Sequence, residues 1–331
     1  MQPKRLLAYG DVEMDILLKT ESNDPYGHDV KVNDLTFSPG GSAANCAAIA
    51  GSLGLPVTFL GSLGADAWAD PLLKDFHNFG VETRYIRRAA GKTGTCVAVV
   101  DAAGERKFYS YRGVNESAPP DLPPDSVWQE HHCLHLSGYS FQQPNSADYA
   151  WNLIREAKKH SLTVSLDPSY LFAKYAQDVL ADLLPQLDFF FPNREESAIL
   201  SGTDDPLRAA RVLRGKGIKV VVVTLGREGC LISGAGMEQG VRMVSPAPAI
   251  DTTGAGDAFC GGFLTGWLHD FSLVQSCKIG CAAAAHIVTK MGAHEQAPTM
   301  PDILSIMQQN HEDELAEFLF QKTLAGVIGK K

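Results

Sequence analysis

Short β-branched and apolar runs recur along the chain, and between them lie stretches whose apolar positions repeat every three to four residues. Leu6–Gly10, Val57–Gly61, Cys133–Ser137, Thr163–Asp167, Asp188–Pro192 and Val220–Thr224 have strand length and few polar positions, as strands covered on both faces do. Ser42–Leu53, Ala67–Phe79, Ala147–His160, Tyr175–Leu184, Arg194–Ser201 and Pro206–Lys216 carry helical spacing. The alternation predicts an α/β fold: a doubly wound, mostly parallel sheet flanked by helices. After Gly254 the pattern is helical only, over Gly256–His269, Leu273–Lys290 and Pro301–Gln309. The tail, residues 311–331, begins acidic and continues Leu-Ala-Glu-Phe-Leu-Phe. It reads as an amphipathic helix, either solvated or an oligomer contact.

Two segments break the alternation. Asp15–Lys19 with Asp29–Phe37, and Thr95–Tyr111, alternate polar and apolar residues with no helix between. Asp101-Ala102-Ala103-Gly104 is a hairpin signal. Half-buried strands inserted in an α/β domain predict a small sheet off the core, a lid built from about residues 12–39 and 92–117. Its apolar strands, such as Cys96–Val100, would otherwise leave an exposed edge, so a homodimer through the lid is expected. With no repeat, low-complexity tract or long linker, residues 1–331 read as a single domain.

Composition narrows the function classes. The chain has 331 residues, 45% hydrophobic, a net charge of -9 and no run of Lys or Arg longer than two, which argues against nucleic acid and anionic membrane as partners. Its apolar runs fall far short of the ~20 residues that span a bilayer. Acids interrupt the N-terminal MQPKRLLAYGDVEMD too soon for a signal-peptide core. The seven cysteines contain no Cys-x-x-Cys pair, which suits a reducing cytoplasm.

The candidate chemistry concentrates in Asp251–Gly266, DTTGAGDAFCGGFLTG. A small, flexible turn runs into a helix, and the unpaired first N–H groups of a helix form an anion site. Asp257 stands at that junction. It either caps the first turn or accepts a proton from whatever attacks a phosphoryl group held in the turn. Three weaker motifs fail. Ala90-Gly91-Lys92-Thr93 resembles the end of a phosphate-binding loop, but Ile86 occupies the required upstream glycine position. Gly254-x-Gly256 would begin a dinucleotide fingerprint, but Phe259 stands at its third glycine. His131, His132, Cys133 and His135 abut a strand whose neighbours face opposite sides.

Other marks favour the phosphoryl reading. In Ser38-Pro39-Gly40-Gly41-Ser42-Ala43-Ala44-Asn45, paired glycines let a ligand approach the backbone, and Asn45 offers a donor and an acceptor to hydroxyls. Asp15 lies five residues after Gly10, where the first strand should leave the core, and is either an acceptor-only carboxylate suited to a sugar diol or an ordinary turn Asp. Asn193 and Glu196 lie three apart just past a strand. Oxygen groups at that spacing suit hydrated Mg²⁺, and they equally form a capping box. Thr224-Leu225-Gly226 ends another strand at the sheet's carboxyl edge.

In this order the motifs resemble the ribokinase-like (PfkB) carbohydrate kinase family over roughly residues 5 to 300. GGSAANCA is similar to its first signature and DTTGAGDAFCGGFL to its second. The resemblance implies a doubly wound α/β kinase with a β lid, using ATP and Mg²⁺. It implies Asp257 as catalytic base, and Gly254, Ala255 and Gly256 as the backbone anion hole. Asp15, Gly40, Gly41 and Asn45 would hold the sugar. Asn193, Glu196, Thr224 and Gly226 would serve the nucleotide, with Mg²⁺ reached from Glu196 through water. A K⁺ site would fall at Asp251, Thr253, Ile287, Lys290 and Gly292, mostly through backbone carbonyls.

The acceptor is less defined. Arg112, in Phe108–Gly113, either pairs with a sugar-acid carboxylate or is solvated, and Glu13 replaces the neutral residue typical of ribokinases. A neutral sugar is the first expectation, a sugar acid of the 2-keto-3-deoxygluconate type the second and a nucleoside the third. A catalytically silent sugar-binding regulator is the reading from another class.

Overall fold

The computed structural model describes residues 3–20, 30–100, 106–176, 179–242, 245 and 247–328. In chain order, the strands among them are β1 (Leu6–Tyr9), β2 (Glu13–Thr20), β3 (Val32–Gly40), β4 (Val57–Gly64), β5 (Val81–Ala89), β6 (Gly94–Val100) and β7 (Arg106–Tyr111). They continue with β8 (Cys133–Ser137), β9 (Thr163–Asp167), β10 (Phe189–Phe190), β11 (Val220–Thr224), β12 (Cys230–Gly234) and β13 (Met237–Val241). Nine form one sheet in the order β13-β12-β11-β10-β9-β8-β1-β4-β5. From β11 to β5 every pairing is parallel, and β12 and β13 extend the far edge antiparallel. The winding reverses between β1 and β8. At such a point the loops leaving the two strands diverge and open a crevice at the carboxyl edge.

Successive strand residues face opposite sides, so each buried strand feeds two layers. Leu6 and Ala8 pack with Cys46, Ile49, Phe259 and Phe263, while Leu7 and Tyr9 pack with Leu153 and Phe172 on the other face. The helices Ser42–Ser52 and Ala255–Leu268 meet in the first layer through Gly261. A Cβ there would lie 2.8 Å from the Cys46 carbonyl oxygen.

The remaining four described strands form a separate sheet, β3-β2-β6-β7, in which β2 runs parallel to β6 and the outer pairs are antiparallel. The two segments without helices thus come together as expected. The tetrapeptide Asp101-Ala102-Ala103-Gly104 lies outside the described residues.

Several elements differ from the sequence reading. The helix expected over Tyr175–Leu184 is replaced by Tyr170–Tyr175 and the short turn Leu180–Leu183. The first starts early because the Ser169 hydroxyl caps it, accepting from the Phe172 N–H at 3.1 Å. β5 was not foreseen, because an edge strand packs on one side only and its Val-Glu-Thr-Arg-Tyr-Ile-Arg-Arg-Ala keeps polar positions in water. The tail helix Asp313–Ile328 is not simply solvated: Leu315, Ala316 and Leu319 are buried in the first core layer. No helix among the described residues is long and apolar enough to cross a membrane.

Candidate active site

The carboxyl edge of the sheet gathers most of the expected residues. Gly254 is the N-cap of helix Ala255–Leu268, at φ 73°, and no side chain caps that end. Only glycine suits the position, since a Cβ would lie 2.6 Å from the Ala293 carbonyl oxygen. Gly256 and Asp257 are the second and third residues of the helix, so their N–H groups have no intrahelical acceptor. Asp257 does not fold back to cap its own helix. Its Oδ2 accepts from Asn45 Nδ2 at 2.7 Å, across 212 positions of sequence.

Asn45 sits one turn into helix Ser42–Ser52. That helix starts from Gly41 at φ 103°, where a Cβ would meet the Asp11 carbonyl oxygen at 2.2 Å. Gly40, the last residue of β3, is in register with Glu13. Asp15 lies on β2, on the small sheet, with one carboxylate oxygen buried and without a partner among the described residues. It lines a cleft of about 330 Å³ between the small sheet and the segment Asp251–Gln296, together with Ser38, Thr253, Gly292 and Glu295.

Beneath the cleft the carboxylates crowd. Asp167, at the end of β9, accepts from the Ser42 hydroxyl at 3.3 Å. Burial, with the nearby charges of Asp257 and Glu196, holds its carboxyl well above the usual range. Burial pushes Glu196 up to about 7 against the Asn193 N–H, and Asp15 up to about 7 against the charge of His294. Asp257 is raised by burial, opposed by hydrogen bonds from Asn45 and Ser42. Glu13, on the same face of β2 as Asp15, is raised well above its ordinary value by burial and by Asp15 and Asp11.

Asn193 and Glu196 do form a capping box, with Glu196 N–H to Asn193 Oδ1 and Asn193 N–H to Glu196 Oε2 both at 2.9 Å. Asn193 also bridges to Thr224. This sets the box beside the turn that follows β11, where Gly226 adopts φ 59°. On the other side of the anion turn, Asp251 Oδ1 accepts from the Thr253 N–H at 2.9 Å and hydroxyl at 2.7 Å, and Oδ2 accepts from the Gly292 N–H at 3.2 Å. Ile287 and Lys290 close the adjoining turn, the Lys290 N–H bonding the Ile287 carbonyl at 2.9 Å.

Arg112 is neither solvated nor held open toward the cleft. Its Nη2 donates to Asp11 Oδ1 at 2.7 Å, and its Nη1 to the Tyr139 carbonyl at 2.7 Å and Gln142 Oε1 at 3.0 Å. Sequence reasoning missed Asp11, Ser42, Asp167 and His294. Asp11 and Asp167 had a readable signal, a carboxylate at the carboxyl end of a parallel strand. Ser42 and His294 had none.

The fold, taken with the family match, identifies a phosphotransferase with an alcohol group as acceptor. Residues 3–300 match the model of the pfkB family carbohydrate kinases, and the chain belongs to that family. It is 34% identical over 251 residues to an uncharacterized sugar kinase of Archaeoglobus fulgidus, covering 76% of this chain and 98% of that protein. It is 29% identical over 313 residues to the ribokinase of Haemophilus influenzae, covering 92% and 99%. Among solved structures, Arabidopsis thaliana ribokinase complexed with ribose and ATP matches with a TM-score of 0.81 at 24% identity, covering 93% of this chain and 99% of that one. The chain is a sugar or nucleoside kinase of the ribokinase family.

Proposed function

We propose that the protein transfers the γ-phosphate of ATP to a hydroxyl of a neutral sugar, with Asp257 as general base. One observation carries this reading: Asp257 stands in the first turn of an uncapped helix, yet its carboxylate faces Asn45 and not its own helix end. Helix and carboxylate then serve different atoms. The N–H groups of Gly254, Ala255 and Gly256 receive charge growing on the phosphate, and Asp257 takes the proton of the attacking hydroxyl. Asp15, Asn45 and the backbone at Gly40 and Gly41 hold the sugar in line, and positioning supplies much of the rate in phosphoryl transfer.

Mg²⁺ fits the residues present. Burial and the charge of Asp257 raise the carboxyls of both Asp167 and Glu196, and Glu196 raises Asp167 further, an arrangement that a divalent cation would relieve. Among the described residues no group of three or more His, Cys, Asp or Glu could hold a metal ion by itself, so Mg²⁺ would have to be held largely by waters and nucleotide phosphates. Bound there, it would neutralise phosphate charge. Asn193, Thr224 and Gly226 would line the nucleotide, and K⁺ among the backbone of Asp251, Thr253, Ile287, Lys290 and Gly292 would fix the anion turn.

The charge around the acceptor favours a neutral sugar. Arg112 is occupied by Asp11, Tyr139 and Gln142, and Lys19, which lines the cleft, pairs with Asp34 at 3.4 Å. Both of these cations are therefore already engaged, and Glu295 adds a carboxylate to the lining. ADP release over a panel of pentoses, hexoses, keto-sugar acids and nucleosides, with Mg²⁺ and K⁺, tests this. Turnover confined to neutral sugars is expected. Turnover of a sugar acid or a nucleoside alone would replace the acceptor, and no turnover of any would leave the silent regulator.

A further inference from the structure

Asn45 uses both ends of its carboxamide, and the second end leads out of the site. Its Nδ2 donates to Asp257, while its Oδ1 lies 2.6 Å from Nδ1 of His294. The other ring nitrogen of His294, Nε2, lies 2.6 Å from Asp75 Oδ2, on the helix Ala69–Asn78. His294 is buried, and Phe79 meets its ring edge-on at 5.6 Å.

With Asp257 ionised, as a general base must be, and with both ring nitrogens of His294 protonated, the donors and acceptors in this row leave one arrangement. An ionised Asp257 only accepts, so the amide group of Asn45 must face it and the amide oxygen must face His294. That oxygen also only accepts, so Nδ1 of the ring carries a proton and donates. On the far side the Asp75 carboxylate accepts from Nε2. Turning the Asn45 carboxamide over would set its oxygen against the Asp257 carboxylate and its NH₂ against a donating ring. The ring cannot follow, because Asp75 and Phe79 hold it.

We propose that His294, clamped by Asp75, is a positioning residue that locks the carboxamide of Asn45 in the orientation aiming Nδ2 at Asp257. The inference rests on the kinase reading above. Neither His294 nor Asp75 touches the reacting atoms. They act by removing the rotational freedom of Asn45, a group that carries sugar on one side and orients the base on the other. Buried polar groups joined in such a row are strongly coupled.

The test uses full-length protein with His294→Leu, His294→Gln and Asp75→Ala. Glutamine can still donate to Asn45 Oδ1; leucine cannot. Two readouts apply: kcat and KM, and the Asn45 side-chain NH₂ signal in ¹⁵N-labelled protein, assigned from its loss in Asn45→Asp. In His294→Leu, kcat should fall by between about 10- and 100-fold, the scale of a small misplacement. KM for ATP should stay unchanged, and the amide signal should move. His294→Gln should restore most of both. Asp75→Ala should lie between and add nothing to His294→Leu, as members of one coupled row do. An unchanged amide signal and kcat in His294→Leu would overturn the proposal, and so would a His294→Gln as impaired as the leucine variant. Should His294→Leu fail to fold, Asp75→Ala decides by the same two readouts. If wild-type protein phosphorylates nothing, the kinase reading falls, and the amide signal alone decides the clamp.

Discussion

Arg112 and Asp11 form an ion pair at 2.7 Å, each side chain only 10% exposed, although 101 positions separate them in the chain. The pair ties the segment after β7 to the loop after β1, and so the small sheet to the crevice. Burial alone would raise the Asp11 carboxyl, and the Arg112 guanidinium opposes that. Arg112→Ala leaves Asp11 buried and unpaired, which costs on the order of 3–5 kcal/mol of stability for buried pairs. Chemical denaturation measures it. A stable variant that had lost only affinity for an anionic acceptor would return Arg112 to the role of sugar-acid ligand.

Asp257→Asn separates base from cap. The carboxylate does not cap helix Ala255–Leu268, and burial disfavours its charge in the free protein. The variant should therefore unfold at the same temperature as wild type or higher. Its kcat should fall roughly 10²–10⁴-fold, the usual contribution of a general base, with ATP affinity nearly constant. Retention of more than about a tenth of kcat with chemistry rate-limiting would count against the assignment.

The pH response follows from Asp15, whose carboxyl is raised from 3.8 to about 7 by burial. A raised carboxyl means that the folded protein binds more protons than the unfolded one between those values. Its contribution to stability is therefore complete below about 3.8 and is lost as pH rises through about 7. Ligand-free wild type should lose stability over that window, and Asp15→Asn should lose less. Sugar affinity should run the other way and rise with pH, since the ionised carboxylate is the better acceptor for hydroxyls. Parallel pH profiles for the two proteins would refute the role given to Asp15.

The small sheet turns Asp15, Ser38, Cys96 and Phe108 toward the cleft. By alternation its other face carries Leu18, Leu35, Val97 and Tyr109, of which Leu35 and Tyr109 are about half exposed. An apolar sheet face with open edges favours pairing with a second copy. Sedimentation should show a dimer that Leu35→Glu with Tyr109→Glu converts to monomer. A monomeric wild type would end the idea.

A monovalent cation among the carbonyls near Asp251 would stiffen the turn that aims the Gly254–Gly256 N–H groups. Rates in K⁺ should exceed those in tetramethylammonium at matched ionic strength. Equal rates would remove K⁺ from the site.

The sequence by itself determined the doubly wound α/β sheet, the small second sheet and the order of motifs along the chain. Those features rest on local periodicity, on glycines at positions such as Gly41 and Gly254, and on side chains that must follow a strand end directly. Asn193 and Glu196 were legible for this reason, being one helical turn apart. Only the tertiary structure decided which side chains meet. Nothing near Arg112 announces Asp11, and nothing near Asn45 announces His294, 249 positions away. Such pairs are made by the return of the chain to β8 beside β1 and by the packing of helix Ser42–Ser52 on Ala255–Leu268. Hydrogen bonds between side chains have no periodicity to read, because their partners are set by distance in space rather than by spacing along the backbone.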